Sequence, residues 1–466
     1  MIFAHHHHRR VACRPSGFTL VELLITVSII AIMASMMLFA LYGAQETARA
    51  QKTKALIAKL DAIIKTKYES YATRRIPIAS TLPPNPTAAQ VFAWRKLRLD
   101  ALRELMRMEL PERWTDIATV DPSTSRIKTT TSPNYGQAVP ITPGLTPPSV
   151  AGNTVSTPPF GGYFGKVYTA NQANPANPSL EFQSAECLYL IVMAAAAEDA
   201  DDKDMFRPTD SADVDGDGFR EFVDGWGQPI RFLRWAPGFV SELQAIARGK
   251  VASVNPSGQT VTITATGTNF SAASGAYVGG SFIVTDPITG QMKGNQMAKI
   301  TAYSYSAPTA TATFTCTTPS GTTTQSPFWG NSPAVQNSFV VTGPDPFDAR
   351  GVYPIYPSGA TFAAGTPDTS TPTFATYPLI YSSGPDKCYG VISDTDSSDP
   401  NNPLHFNAPD INLGATSGNK DVNRVNPFYR PSNGKLMGTI DDLTAEPNFV
   451  PSGWLDNIHN HMIGQK

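Results

Sequence analysis

The sequence predicts an α+β protein: a long N-terminal transmembrane and spine α-helix, then a globular domain with further helices and a small antiparallel β-sheet, plus an inserted all-β subdomain. Three observations carry this. An uncharged run from Leu23 to Tyr42 passes without a proline into a segment where Leu56, Leu60, Ile63, Ile64 and Tyr68 recur at three- and four-residue spacing. Further helical patterns start near Ala88 and Ser184. Between about Ala247 and Thr342 the texture changes to short alternating runs bounded by Gly, Pro, Asn and Asp, which is how antiparallel strands read.

The apolar run is about twenty residues long, enough at 1.5 Å per residue to cross a hydrocarbon core of about 30 Å as a helix. Arg9, Arg10 and Arg14 precede it and no acid does, so the positive-inside bias puts the N-terminus in the cytoplasm and everything after Tyr42 outside. Past the membrane, Lys52, Lys54, Lys59, Lys65 and Lys67 fill the faces that the apolar stripe leaves. One helix from Phe18 to Thr73 would be about 84 Å long. The Pro-rich stretch from Ile76 to Gln90 should end it.

A second helix is expected from Ala88 to Leu110, carrying Val91, Trp94, Leu102, Leu105 and Met106 among Arg95, Lys96, Arg98, Arg103 and Arg107, and closed by Pro111. Its basic stripe reads as a solvated face. From about 120 to 180, Pro, Ser, Thr, Gly and Asn predominate, which predicts an extended excursion. A third helix follows from Ser184 to Ala197, with Cys187 as a small buried apolar residue. The runs TVTITATG, GSFIVTD, AKITAYSYS, TATATFTC and NSFVVTG then predict five strands in a small sandwich or barrel. Threonine on alternate positions suits a face in water, and equally an adhesive one.

The first residues add a sharper signal. Gly17-Phe18-Thr19-Leu20-Val21-Glu22 stands between a basic leader and the apolar run, so a cut after Gly17 would keep the hydrophobic helix, the reverse of an ordinary secretory signal. This arrangement resembles the class III signal of type IV pilins and type II secretion pseudopilins. The resemblance implies cleavage by a prepilin peptidase between Gly17 and Phe18, methylation of the Phe18 amine, and a role for Glu22 in assembly by pairing with the amine of a neighbouring subunit. The local alternative is a carboxylate that hydrates itself at the membrane interface.

Two downstream segments, Asp224-Gly225-Trp226-Gly227-Gln228-Pro229-Ile230-Arg231-Phe232 and Ser382-Ser383-Gly384-Pro385-Asp386, are similar to the D-x-W-G-x-P strand and the S-x-G-x-D turn of the type II secretion major pseudopilin. That likeness implies a small C-terminal sheet packed on the helical spine, and a calcium ion after the second strand, where Asp386, Asp394, Asp396 and Asp399 stand. The β insert between the two strands departs from the compact family core. The implied organisation is a leader (1–17), a membrane helix (18–42), the outer part of the spine (43–75), a helical, loop-rich region (76–246), the β insert (247–342) and a C-terminal strand with loops (343–466).

Read from the residues themselves, Asp213 to Asp224 has the spacing of a calcium loop: Asp213, Asp215 and Asp217 at positions one, three and five, Gly216 at the sharp turn, a backbone carbonyl from Phe219, then Glu221 and Asp224. Five acids so close repel one another unless a hard cation sits among them. Asp224 replaces the usual longer glutamate, and the segment that follows reads as strand, so the loop stands apart from a helix–loop–helix hand.

Composition narrows the classes. Lys+Arg 36 against Asp+Glu 38 gives a formal charge of −2 without long single-sign runs, which disfavours a nucleic-acid surface. The serine-, threonine- and asparagine-rich composition with 40 prolines suits a loop-rich extracytoplasmic surface. Cys187, Cys316 and Cys388 permit at most one intramolecular bridge once Cys13 is assigned to the leader, and spacing does not choose the pair. No G-x-S-x-G, H-E-x-x-H or phosphate-loop pattern occurs, so no enzyme is expected. His459-Asn460-His461 could share a metal if it lay on a strand; surface decoration is the plainer reading. The expected function is thus a pseudopilus subunit that polymerises with its own copies and other pseudopilins through an inner-membrane assembly platform. The rivals are a surface type IV pilin and a non-polymerising anchored binding protein.

Overall fold

The structure is a computed structural model that describes residues 19–74, 83–88, scattered positions from 90 to 112, the two-residue strands at 120–121, 126–127, 149–150 and 153–154, and residues 182–198, 205–257, 260–267, 270–285, 291–317, 338–343, 345–347, 377–393, 437–440 and 456–462. Gly17, Phe18, Asp394, Asp396 and Asp399 lie outside the described residues, as does most of the excursion expected between 120 and 180. The chain divides into two compact units, Met1–Gln51 and Lys52–Lys466.

Helix α1, Leu20–Ser70, runs for 51 residues, slightly inside the bounds the periodicity predicts. Within the first unit its large apolar side chains from Leu20 to Tyr42 are exposed. Within the second, Thr53, Leu56, Ile57, Leu60, Ile64 and Tyr68 form one buried stripe. Two of the lysines beside the apolar stripe reach carbonyls: Lys52 Nζ donates to Thr209 O at 3.2 Å and Lys59 Nζ to Met205 O at 2.9 Å. After α1, helical positions between Ala88 and Glu109 bury Leu102 and Met106. Their start is a reciprocal cap in which Thr87 Oγ1 accepts from the Gln90 amide while Gln90 Oε1 accepts from the Thr87 amide.

Helix α2, Gln183–Glu198, buries Cys187, Leu188, Leu190 and Ile191. Two-residue hairpins pair β1 (Val120–Asp121) with β2 (Arg126–Ile127) and β3 (Ser149–Val150) with β4 (Asn153–Thr154). β5 (Ser211–Ala212) pairs with β6 (Glu221–Phe222), and these two close the ends of the acidic loop. β7 (Arg231–Leu233) pairs antiparallel with β14 (Leu379–Ser382), which pairs with β15 (Ile458–His459). The two strands expected to lie together therefore do so, with Ile380 opposite Phe232. Leu233, Phe239, Leu379, Tyr381 and Met437 pack as one apolar cluster beside them.

Between β7 and β14 the chain forms a closed antiparallel barrel of β8 (Ala245–Ser257), β9 (Thr260–Thr266), β10 (Ser281–Thr285), β11 (Met292–Ser306), β12 (Thr311–Thr317) and β13 (Ser338–Thr342). The spatial order β13-β10-β11-β12 is a Greek key. Phe282 stacks on Phe339 at 4.5 Å, and Phe314 meets both edge-on at 5.3 and 5.7 Å, so the interior is filled. On the other face, β9 and β12 set Thr266, Thr264, Thr262 and Thr260 directly opposite Thr311, Thr313, Thr315 and Thr317.

Strand β8 is the one the alternating runs missed, because Gly249 and Pro256 interrupt its pattern. Gly249 is needed there: a Cβ would stand 2.5 Å from the Thr266 carbonyl and 2.9 Å from the Phe339 ring. No disulfide joins Cys187, Cys316 and Cys388, since Cys187 is buried in α2 and Cys316 inside the barrel.

Candidate functional sites: an acidic loop and the N-terminal signal

The loop between β5 and β6 turns back twice at positive φ, +79° at Gly216 and +94° at Gly218. Its carboxylates brace it. Asp213 Oδ1 accepts from the Gly216 amide at 2.8 Å and Oδ2 from the Gly218 amide at 3.0 Å. Asp217 Oδ1 accepts from the Phe219 amide at 2.8 Å, and Glu221 Oε2 from the Val214 amide at 3.0 Å. Carboxylate oxygens also converge. Those of Asp213, Asp215 and Asp217 lie within 4.8 Å of one another, and so do those of Asp215, Glu221 and a residue the sequence reading did not include, Glu186 of α2.

Glu186 is 2 % exposed and Glu221 wholly buried. No amide, hydroxyl or cation donates to either Glu186 oxygen or to Glu221 Oε1; the side chain that meets Glu186 is another acid, Asp217. Burial, then the charges of Asp217, Glu221 and Asp215, push the Glu186 carboxyl well above the usual range. Burial likewise pushes Glu221 up to about 8, against the pull of the Val214 amide. The signal for Glu186 was present in QSAECLYLIVMAAAAE: an acid one turn before Leu190 on the buried face of an otherwise apolar helix.

At the N-terminus, Thr19 donates from both its amide and its hydroxyl to Glu22 Oε2, each at 2.9 Å, and Glu22 returns its own amide to Thr19 Oγ1 at 3.2 Å. Thr19-Leu20-Val21-Glu22 is therefore a capping box that satisfies two of the orphan amides at the start of α1. α1 is long and apolar enough to cross a membrane. Residues 14–38 match the prokaryotic N-terminal methylation motif. That motif is the prepilin-type signal of type IV pilins and pseudopilins, so the chain carries a signal for prepilin-type processing. No curated protein and no solved structure matches the chain.

Asp224, expected at the twelfth position of the acidic loop, is turned away from it. Its Oδ1 accepts from the amides of Trp226 and Gln228 at 2.8 and 2.9 Å, and its Oδ2 from Ser382 Oγ at 2.7 Å. It thereby joins the D-x-W-G turn to the S-x-G-x-D turn, and Gly225 ties the same turn to α1 through Thr53 Oγ1 at 2.8 Å. Gly384 has φ +70° and leaves no room for a Cβ, which would stand 2.7 Å from the Asp456 carbonyl. Asp386 Oδ1 accepts from the Cys388 amide. Of the four acids named for a second cation site, Asp386 alone is among the described residues.

His459 ends β15 and His461 lies in the turn after it, both packed edge-on against Phe239. The reading of the pair as surface decoration fails, because His461 is buried and Nε2 contacts the Pro378 carbonyl at 2.9 Å. Burial pulls His459 down to about 3 and His461 to about 4, so both rings are neutral.

Proposed function

We propose that this chain is a structural subunit of a type II secretion-like pseudopilus. In this reading a prepilin peptidase cuts after Gly17 and methylates Phe18. The chain waits in the inner membrane as a single span with its N-terminus in the cytoplasm and the rest outside, and an assembly platform then extracts it into a helical fibre of its own copies and other pseudopilins. Calcium-stabilised loops belong to the same reading, and no nucleic acid and no catalysis are needed. The observation that carries it is the methylation motif at the head of a helix whose first half exposes every large apolar side chain from Leu20 to Tyr42. Such a surface is stable in lipid or against other copies of itself. The pairing of β7 with β14 favours the secretion class. The outward threonine pairs of β9 and β12 favour the second reading, a surface pilin.

Glu22→Gln tests polymerisation better than removal of the side chain. Glutamine keeps a T-x-x-Q capping box and hence the helix start, while the charge available to a neighbour's amine is lost. Processed Phe18, identified by N-terminal mass spectrometry, should persist in the variant while fibres disappear. Wild-type levels of fibre would reduce Glu22 to its capping role and overturn the assembly reading. Recovery of wild-type chain in sheared surface fibres, rather than in the envelope, would replace the pseudopilus by the pilus.

A further inference from the structure

We propose that Glu186 of α2 completes a calcium site with Asp213, Asp215, Asp217 and Glu221, supplying from a different element the bidentate carboxylate that a calcium loop ordinarily carries at its twelfth position. The proposal deepens the calcium part of the function proposed above and is independent of polymerisation.

The loop on its own lacks a clamp. Its twelfth residue, Asp224, spends both oxygens on Trp226, Gln228 and Ser382. Glu186 is the complementary case, a carboxylate brought from 27 residues before the loop begins, buried, with no amide, hydroxyl or cation donating to either oxygen and another acid, Asp217, against it. A buried carboxylate without donors is costly unless it meets a cation or takes up a proton. Its surroundings supply more acid: Asp215 and Glu221 put oxygens within 4.8 Å of its own. Arg220, the loop's own cation, is turned to the Ser211 carbonyl at 2.9 Å.

The spacing matches a shared ion. Oxygens that each stand 2.3–2.6 Å from one calcium can be no more than about 5 Å apart. Each triad meets that limit by itself and Asp215 belongs to both, so an ion held beside Asp215 by one triad would draw in the carboxylates of the other. The donor set is carboxylate throughout, without histidine or cysteine, which selects a hard cation over zinc or copper. Five carboxylates from a loop, a strand and a helix suit the irregular six- to eight-fold shell of calcium better than the octahedron of magnesium, which keeps most of its waters. Since α2 packs on β6 and β7, the ion would fasten the loop to the helix that supports the sheet.

The test uses the full chain in detergent, with calcium alone as probe, by isothermal titration and thermal melting. Wild type should bind calcium and melt higher with it than with a chelator. Glu186→Gln should bind at least tenfold more weakly and lose that calcium-dependent rise. In chelator it should melt no lower than wild type, because glutamine has the shape of a carboxyl that without the ion must take up a proton or stay unpaired. Should that variant fail to fold, Glu186→Asp, which keeps the charge and loses the reach, must weaken binding likewise. Wild-type affinity in the folded Glu186 variant would overturn the clamp while leaving a loop site standing. Absence of calcium binding by wild type would overturn both, and would leave the fibre assay untouched.

Discussion

Inside the barrel, Phe282, Phe314 and Phe339 meet ring on ring, and the sequence from Ala245 to Thr342 holds one acid, Asp286, and no histidine. The three-stranded sheet around it in sequence is bordered by buried charge instead. Arg234, wholly buried, donates Nη2 to Glu112 Oε1 at 3.2 Å and Nη1 to Leu110 O at 2.7 Å, while its amide donates to Glu112 Oε2 at 2.9 Å. The same globular part holds the Asp224–Ser382 bond, the neutral histidines and the acidic loop with Glu186 of α2. The insert is thus held by contacts that are indifferent to protons and cations. The sheet is held by groups whose charge state decides whether they stabilise it or oppose it.

The largest effects should separate the two. Phe314→Ala opens a cavity among the barrel rings and should cost about 3–5 kcal/mol. Arg234→Met should cost about the same at the sheet, since it leaves Glu112 buried without its guanidinium. The difference lies in rescue. Adding Glu112→Leu to Arg234→Met removes the orphaned charge, so the double variant should melt above the single one, whereas no second substitution should restore the barrel so simply. A double variant no more stable than the single would mean that packing, rather than charge, holds this corner.

An intermediate effect comes from acid. His459 and His461 titrate at about 3 and about 4 in the folded chain and near 6.5 when unfolded. The unfolded state therefore takes up protons first as pH falls below about 6.5, and stability should drop progressively towards pH 4. Above pH 7 the histidines add nothing to the pH dependence, and what remains there belongs to the raised Glu186 and Glu221 carboxyls. His461→Gln should flatten the slope. The Pro378 carbonyl holds His461 up and His461 pulls His459 down further, while Asn460 between them donates Nδ2 to Asp61. Hydrogen exchange at pH 5 should show β14 and β15 losing protection while β9 and β12 keep theirs. Equal loss in both regions would erase the contrast.

The same contrast explains what the sequence could disclose. The barrel strands β9 to β13 are legible because each is a β-branched or aromatic run bounded by turn residues; β9 and β12 alternate with the pleat, while β10 and β13 are buried almost throughout. β8 was hidden by Gly249, whose role is a close approach of chains that only the closed barrel creates. The pairing of β7 with β14 was legible through motif likeness. Arg234 and Glu112 are 122 residues apart with no pattern linking them, and Glu186 meets its loop only because α2 packs on β6. Asp224 was misplaced for a related reason: spacing records where a side chain could reach, and here Ser382, 158 residues away, offers it a better partner. At Glu22 a short-range signal was readable as well, since T-L-V-E has the spacing of a capping box.

The smallest effect tests the outer face of the barrel. Thr264 stands between Ser253 on β8 and Thr313 on β12, its side chain on the partly exposed face, while the next residue, Ile263, is wholly buried opposite Phe314. Valine is β-branched like threonine, so Thr264→Val keeps the strand preference and removes a hydroxyl on a partly exposed face. The expected change is within about 0.5 kcal/mol. Ile263→Thr, one position away, places a hydroxyl against the rings and should cost several times more. Thermal melts of both variants read the pleat directly. If Thr264→Val were as harmful as its neighbour, the threonine face would be covered within the folded chain, and a surface-pilin reading that relies on it would lose its support. If it is silent, any loss of adhesion in that variant belongs to the hydroxyl array itself, because the fold beneath it is unchanged.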